Sequence, residues 1–197
     1  MPKDLSNGYE SVAKDFIAIR SNTGRDVVEN WARSLPKNGD IIDLGAGHGE
    51  PLTSALVAAD LNVRAIDASP TMVSAFKTRF PKIEVACEAA EDSDLFGRHY
   101  DGILAVGLMF LLKDIEQETL IKNIGRALKP QGKFLFSAPT QTHYWEDLLT
   151  GQMSYSLGKN RYIELIKAAE MRLVAKYKDE GGSHYYEAAS TKTLSAS

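Results

Sequence analysis

The chain has a single cysteine, Cys87, so no disulfide can form within it and a reducing compartment is the expected setting. It has no excess of positive charge: 23 Lys and Arg stand against 26 Asp and Glu, a formal net charge of −3. No broad electrostatic attraction to nucleic acid follows from that balance, and no basic run is present to hold RNA. Long apolar runs are also missing. The longest, Gly102–Leu112, is shorter than the roughly 20 residues that a membrane-spanning helix needs. Met1–Ser6 lacks the apolar centre of a secretion signal, so a cytoplasmic protein is expected. There are no internal repeats and no low-complexity stretch.

What is present is the composition of a soluble globular protein, 44% hydrophobic and 25% charged. The length of 197 residues suits one domain with a full core. Residues 1–36 are expected to form a helical lid and 139–156 a substrate-side insert. Cys87 ends an apolar run from Ile83, so it is expected to be buried and inert.

Apolar periodicity divides the chain into alternating strands and helices. Tyr9, Val12, Phe16 and Ile19 share one helical face; Val27, Val28, Trp31 and Leu35 mark a second helix, stopped by Pro36 and Gly39. Strands are predicted at 41–44, 62–67, 83–87, 100–106 and 133–138. Helices follow the first two, opening at Pro51 and at Ser69-Pro70, and another covers 115–128. Lys129–Gly132 reads as a turn, and 139–156 as irregular chain rich in Trp, Tyr, His and Thr. Ser156 is expected to cap a last helix. Strands at 172–178 and 184–189 follow, joined by a Gly-Gly turn too short for anything but an antiparallel hairpin. The expected fold is α/β: a doubly wound, mostly parallel seven-stranded sheet in the order 3-2-1-4-5-7-6, with strand 7 antiparallel.

The stretch Asp40-Ile41-Ile42-Asp43-Leu44-Gly45-Ala46-Gly47-His48-Gly49-Glu50-Pro51 runs a buried strand into a glycine-rich turn and a helix mouth. Such a mouth favours anionic groups, and glycine lets backbone approach a ligand closely. It departs from the dinucleotide fingerprint G-x-G-x-x-G: the third glycine comes one residue early, and Glu50 stands where that fingerprint has glycine. A cofactor with a cationic head fits better. Asp43 can hold an ammonium, and Asp67, at the end of the second strand, can take two ribose hydroxyls. S-adenosylmethionine combines these groups.

The Asp43–Gly49 turn resembles motif I of the class I S-adenosylmethionine-dependent methyltransferases. Ala65-Ile66-Asp67-Ala68-Ser69-Pro70-Thr71-Met72 is similar to that family's second-strand segment, Glu88–Asp92 to its third-strand end, Tyr100–Val106 to its fourth strand, and Ala127–Phe134 to its "L-K-P-G-G" turn. The resemblance runs in order from 40 to 138 and implies a Rossmann-like methyltransferase fold. It implies that Gly45 and Gly47 pack against the methionine part, that Asp67 binds the ribose and that Ala68 flanks the adenine. It further implies that the Ala90 N–H meets an adenine nitrogen and that Val106 contributes backbone near the amino group. Many relatives have Asp where Ala89 stands here, which leaves the adenine amine between Glu91 and Asp92. Arg20, on the lid, is a candidate to grip the cofactor's carboxylate.

The acceptor is expected to be a small, partly apolar molecule. The chain has no Asn/Asp-Pro-Pro-Tyr/Phe after the fourth strand and no Pro-Cys pair, motifs of macromolecular amino and cytosine methylation. His143 and His184 are candidate bases, and Tyr9, Phe110, Trp145 and Tyr155 candidate walls. No metal, nucleic acid or membrane partner is expected. Two other readings stay open: a nicotinamide-dependent oxidoreductase with a degenerate fingerprint, and a non-catalytic S-adenosylmethionine-binding protein.

Overall fold

A computed structural model describes residues 4–193. Residues 1–3 and 194–197, with parts of the N-terminal and tail expectations, lie outside the described residues. The chain begins with α1 (Tyr9–Ile19) and α2 (Arg25–Ala32), then alternates: β1 (Asp40–Leu44), α3 (Leu52–Ala58), β2 (Asn62–Asp67), α4 (Pro70–Arg79), β3 (Glu84–Cys87), β4 (Tyr100–Ala105), α5 (Asp114–Ala127) and β5 (Leu128–Ser137). β6 (Thr142–Glu146), β7 (Met153–Leu157), α6 (Gly158–Ala168), β8 (Met171–Lys178) and β9 (His184–Ser190) complete it.

Seven strands form one sheet in the order β3-β2-β1-β4-β5-β9-β8. This is the order expected from the sequence, with β8 and β9 as the closing hairpin; β9 runs antiparallel to both β5 and β8. The central strands are buried on both faces, and consecutive side chains go to opposite layers. Ile42, Ile103, Phe134, Phe136 and Tyr186 pack with Leu120, Ile121 and Ile124 of α5 and Tyr162 and Ile166 of α6. Their neighbours Ile41, Leu104, Leu135 and Tyr185 pack with Val28, Trp31 and Leu35, and with Ala55 and Leu56 of α3.

Several expectations are corrected. Residues 139–156 are not irregular: β6 and β7 pair antiparallel, from Thr142 opposite Leu157 to Glu146 opposite Met153. Ser156 lies inside β7 and Leu157 takes the N-cap position of α6; the Ser156 hydroxyl donates to the Pro139 carbonyl, and its oxygen accepts from Gly158 N, the first residue of α6, at 3.3 Å. Pro51 precedes α3 as its N-cap rather than opening it. The turn at 129–132 falls within β5, as a register jump between Leu128, opposite Tyr100, and Lys133, opposite Gly102. Cys87 is exposed, because β3 is the edge of the sheet and has a neighbour on one side only. Ile19 is 64% exposed, while Tyr9 and Phe16 of the same helix line a cavity instead of a core.

Candidate active site

The cavity, about 740 Å³, lies beyond the carboxyl ends of the parallel strands, the usual ligand position in such sheets. Its lining is dealt out by strand order. Asp67 and Ala68 come from the end of β2 and Glu88–Glu91 from that of β3; Gly45–Gly47 follow β1, Val106–Leu108 follow β4, Ser137–Pro139 follow β5, and His184 opens β9.

After β1 the chain folds back over β2: Gly45 N and Ala46 N both donate to the Ile66 carbonyl, at 2.8 and 3.1 Å. The turn needs positive φ, and its glycines differ in role. A Cβ on Gly49 (φ 88°) would come within 2.4 Å of the Phe80 ring, so that glycine admits close packing. A Cβ on Gly47 (φ 59°) would meet nothing within 4 Å: here bare backbone faces the cavity. Gly47 N donates to Asp67 Oδ2 at 2.7 Å and Ser69 N to Asp67 Oδ1 at 2.9 Å. Each carboxylate oxygen thus accepts one backbone N–H and keeps a lone pair for a ligand hydroxyl.

Asp43 is only 2% exposed and accepts one hydrogen bond, from Thr53 Oγ1 at 2.7 Å. Burial pushes its pKa up to about 7; the Thr53 bond opposes this and the Asp67 charge adds to it. The native state therefore binds a proton that the unfolded chain releases near pH 4, so stability falls as pH rises from about 4 to about 7. Asp43→Asn should flatten that slope, which is on the order of a few kcal/mol, in thermal unfolding followed across this range. A slope unchanged in the variant would remove Asp43 as its origin.

Arg20 follows α1, and its guanidinium donates to the carbonyls of Ser21 (2.9 Å) and Thr23 (3.2 Å). It lines the cavity and makes no ion pair among the described residues, with Asp179, Glu180 and Tyr185 as its electrostatic neighbours. Ala90, Glu91 and Val106 line the same cavity; Asp92, the other acid considered for adenine, does not. All nine residues expected at the cofactor, Arg20, Asp43, Gly45, Gly47, Asp67, Ala68, Ala90, Glu91 and Val106, are thus brought together. Of the two histidines only His184 is on the lining. His143 sits exposed on β6, stacked on Trp145 at 5.8 Å and 7°.

Two residues escaped the sequence. His48, a spacer within the glycine pattern, is buried against the cavity, and burial followed by the Arg79 charge lowers its pKa, keeping it neutral. Glu10 of α1 accepts from the Ser69 hydroxyl, from Thr71 N (3.1 Å) and from Thr71 Oγ1 (2.7 Å). It fastens α1 to the start of α4 beside Asp67. At the other side of the cavity, Tyr9 OH reaches Asp147 Oδ2 (3.3 Å), and Asn7 Nδ2 donates to the Met153 carbonyl (3.3 Å).

Residues 41–132 match the family described as a methyltransferase domain. The match spans the glycine turn, Asp67 and Ala90 and agrees with the resemblance to class I S-adenosylmethionine-dependent methyltransferases. Solved methyltransferases share its fold. The 1,6-didemethyltoxoflavin N1-methyltransferase of Burkholderia thailandensis is 20% identical, with a TM-score of 0.68 over 98% of this chain and 93% of that one. The magnesium protoporphyrin IX methyltransferase of Synechocystis PCC 6803 is 14% identical, with a TM-score of 0.75 over 96% and 98%. An amino pentose methyltransferase of Micromonospora echinaspora is 14% identical, with a TM-score of 0.70 over 92% and 95%. No curated protein sequence matches. The chain departs from a dinucleotide site at Glu50, which lies against Ser54 Oγ (2.6 Å) and Arg79 (3.4 Å) where the fingerprint glycine would stand. Among the described residues no helix is long and apolar enough to cross a membrane.

Proposed function

We propose that the protein transfers a methyl group from S-adenosylmethionine to a small-molecule acceptor by in-line displacement. The observation that carries this reading is the division of one cavity by strand order. Asp67 and Ala90 stand over β2 and β3, the bare Gly47 backbone follows β1, and Phe110, Trp145 and His184 lie beyond β4, β5 and β9. Neighbouring strands are about 4.8 Å apart, so a nucleoside over β2–β3 and an acceptor over β4–β5 would meet near the centre.

When bound, S-adenosylmethionine supplies an electrophilic methyl carbon on a sulfonium. The chain's own groups hold and align the partners, and alignment accounts for much of the rate of such a displacement. Asp67 would take the ribose hydroxyls, and Arg20 the carboxylate. Asp43, whose buried carboxyl makes no ion pair among the described residues, would take the ammonium. α1 closes the cavity as a lid through Glu10 and Tyr9, and keeps water from the reacting atoms. His184 accepts the acceptor's proton. The solved relatives named above act, by their names, on a toxoflavin precursor, a porphyrin and an amino pentose, all small molecules.

The test is calorimetry with S-adenosylhomocysteine and NAD in parallel. Tight binding of the former is expected; preference for NAD would contradict the reading. His184→Gln should lower kcat by roughly 10²–10⁴ while S-adenosylhomocysteine affinity stays as it was. An unaffected kcat would dismiss His184 as the base.

A further inference from the structure

We propose that the acceptor is an aromatic ring compound carrying its own oxygen or nitrogen nucleophile, seated against Phe110, Trp145 and Tyr155. The assignment rests on the methyl-transfer reading and narrows its acceptor. Phe110 lies in a short 3-10 turn, Met109–Leu111, after β4, and Trp145 lies on β6. Their ring centroids are 5.8 Å apart and inclined at 42°. Both rings, and Tyr155 on β7, are half-buried and line the cavity on its β4 and β6–β7 side, away from β2, which carries Asp67.

This wall is held firmly before any ligand arrives. Gln117 of α5 is fully buried, and its Nε2 donates to the carbonyls of Leu112 (2.8 Å) and Tyr155 (3.1 Å). Its Oε1 accepts from Tyr162 OH at 2.8 Å. One side chain thereby ties β7 to the segment that carries Phe110. Trp145 is backed by His143 in a parallel stack. A wall fixed in advance costs little ordering when a ligand docks, and aromatic pairs gain from offset and edge contacts beyond the area they bury.

Aromatic rings also attract cationic amines, so aliphatic amines are the competing occupants that the test includes. The nearby carboxylates are held in place by backbone N–H groups and keep their charge. Asp4 accepts from Ser6 N (2.8 Å) and Gly8 N (2.9 Å), and Glu116 from Lys113 N (2.8 Å). Asp147 accepts from Leu149 N and Thr150 N, both at 2.9 Å. Lys113, on the cavity rim, makes no ion pair among the described residues.

The test is a size-matched set of phenols, N-heteroaromatic rings, aliphatic alcohols and aliphatic amines. Each is titrated calorimetrically into protein loaded with S-adenosylhomocysteine and assayed for turnover with S-adenosylmethionine. Aromatic members should bind roughly tenfold or more tightly than aliphatic ones. Trp145→Ala should weaken them about tenfold, Trp145→Phe should restore most of the loss, and S-adenosylhomocysteine affinity should be the same in all three proteins. Aliphatic amines or alcohols binding as well as the rings would overturn the proposal, as would aromatic affinity that ignores Trp145→Ala. Failure of S-adenosylhomocysteine itself to bind would instead overturn the methyl-transfer reading, and the acceptor assignment with it.

Discussion

Replacing Asp67 with alanine should weaken S-adenosylhomocysteine binding by about a hundredfold or more. Its two oxygens are aimed by Gly47 N and Ser69 N, each within 3 Å, and both face the cavity end that carries Ala90. A charge-assisted hydrogen bond contributes roughly 1.5–3 kcal/mol, and two ribose hydroxyls would make two of them. The substitution also strips the acceptor from two backbone donors, so the glycine turn loses the anchor that fixes its path. Asp67→Asn keeps the shape but exchanges an acceptor for a donor, and should recover only part of the affinity. Calorimetry on all three proteins checks this; equal affinities would end the assignment of Asp67.

Phe136→Ala carries the largest expected cost to stability. Phe136 is fully buried in β5, stacked on Phe134 at 4.7 Å and on Tyr186 of β9 at 5.0 Å, with the Tyr162 ring edge-on at 5.5 Å. Removing a core phenylalanine costs about 3–5 kcal/mol, through lost burial and the cavity left behind. For a chain of this size that lowers Tm by on the order of 10 °C. Leu148→Ala, at a fully exposed position on the β6–β7 connection, should change stability by less than about 0.5 kcal/mol. Thermal unfolding of the pair separates the two, and equal Tm values would contradict the packing described for the β5–β9 pair.

The sheet and the cofactor end of the site were legible because their signals are local. Asp43 to Gly49 and Ala65 to Met72 are continuous motifs, and strands buried on both faces read as uninterrupted apolar runs. The acceptor end was less so. Thr142-His143-Tyr144-Trp145-Glu146 does not alternate apolar with polar, because β6 pairs only with β7 and stands clear of the main core, and so it read as irregular chain. The His143 side chain follows from that pairing, stacking on Trp145 instead of joining the cavity lining. Cys87 was misjudged because an apolar run does not say whether its strand is central or at an edge. Glu10 gave no signal at all: its partners, Ser69 and Thr71, are about 60 residues away, and only the folded chain brings them together.

The most direct test of the account is a crystal structure with S-adenosylhomocysteine bound. It should show both ribose hydroxyls on Asp67, the adenine beside Ala90 and the carboxylate on Arg20, with the sulfur facing Phe110, Trp145 and His184. A ligand lying elsewhere, or one with its ribose away from Asp67 and its sulfur turned from that aromatic wall, would contradict it.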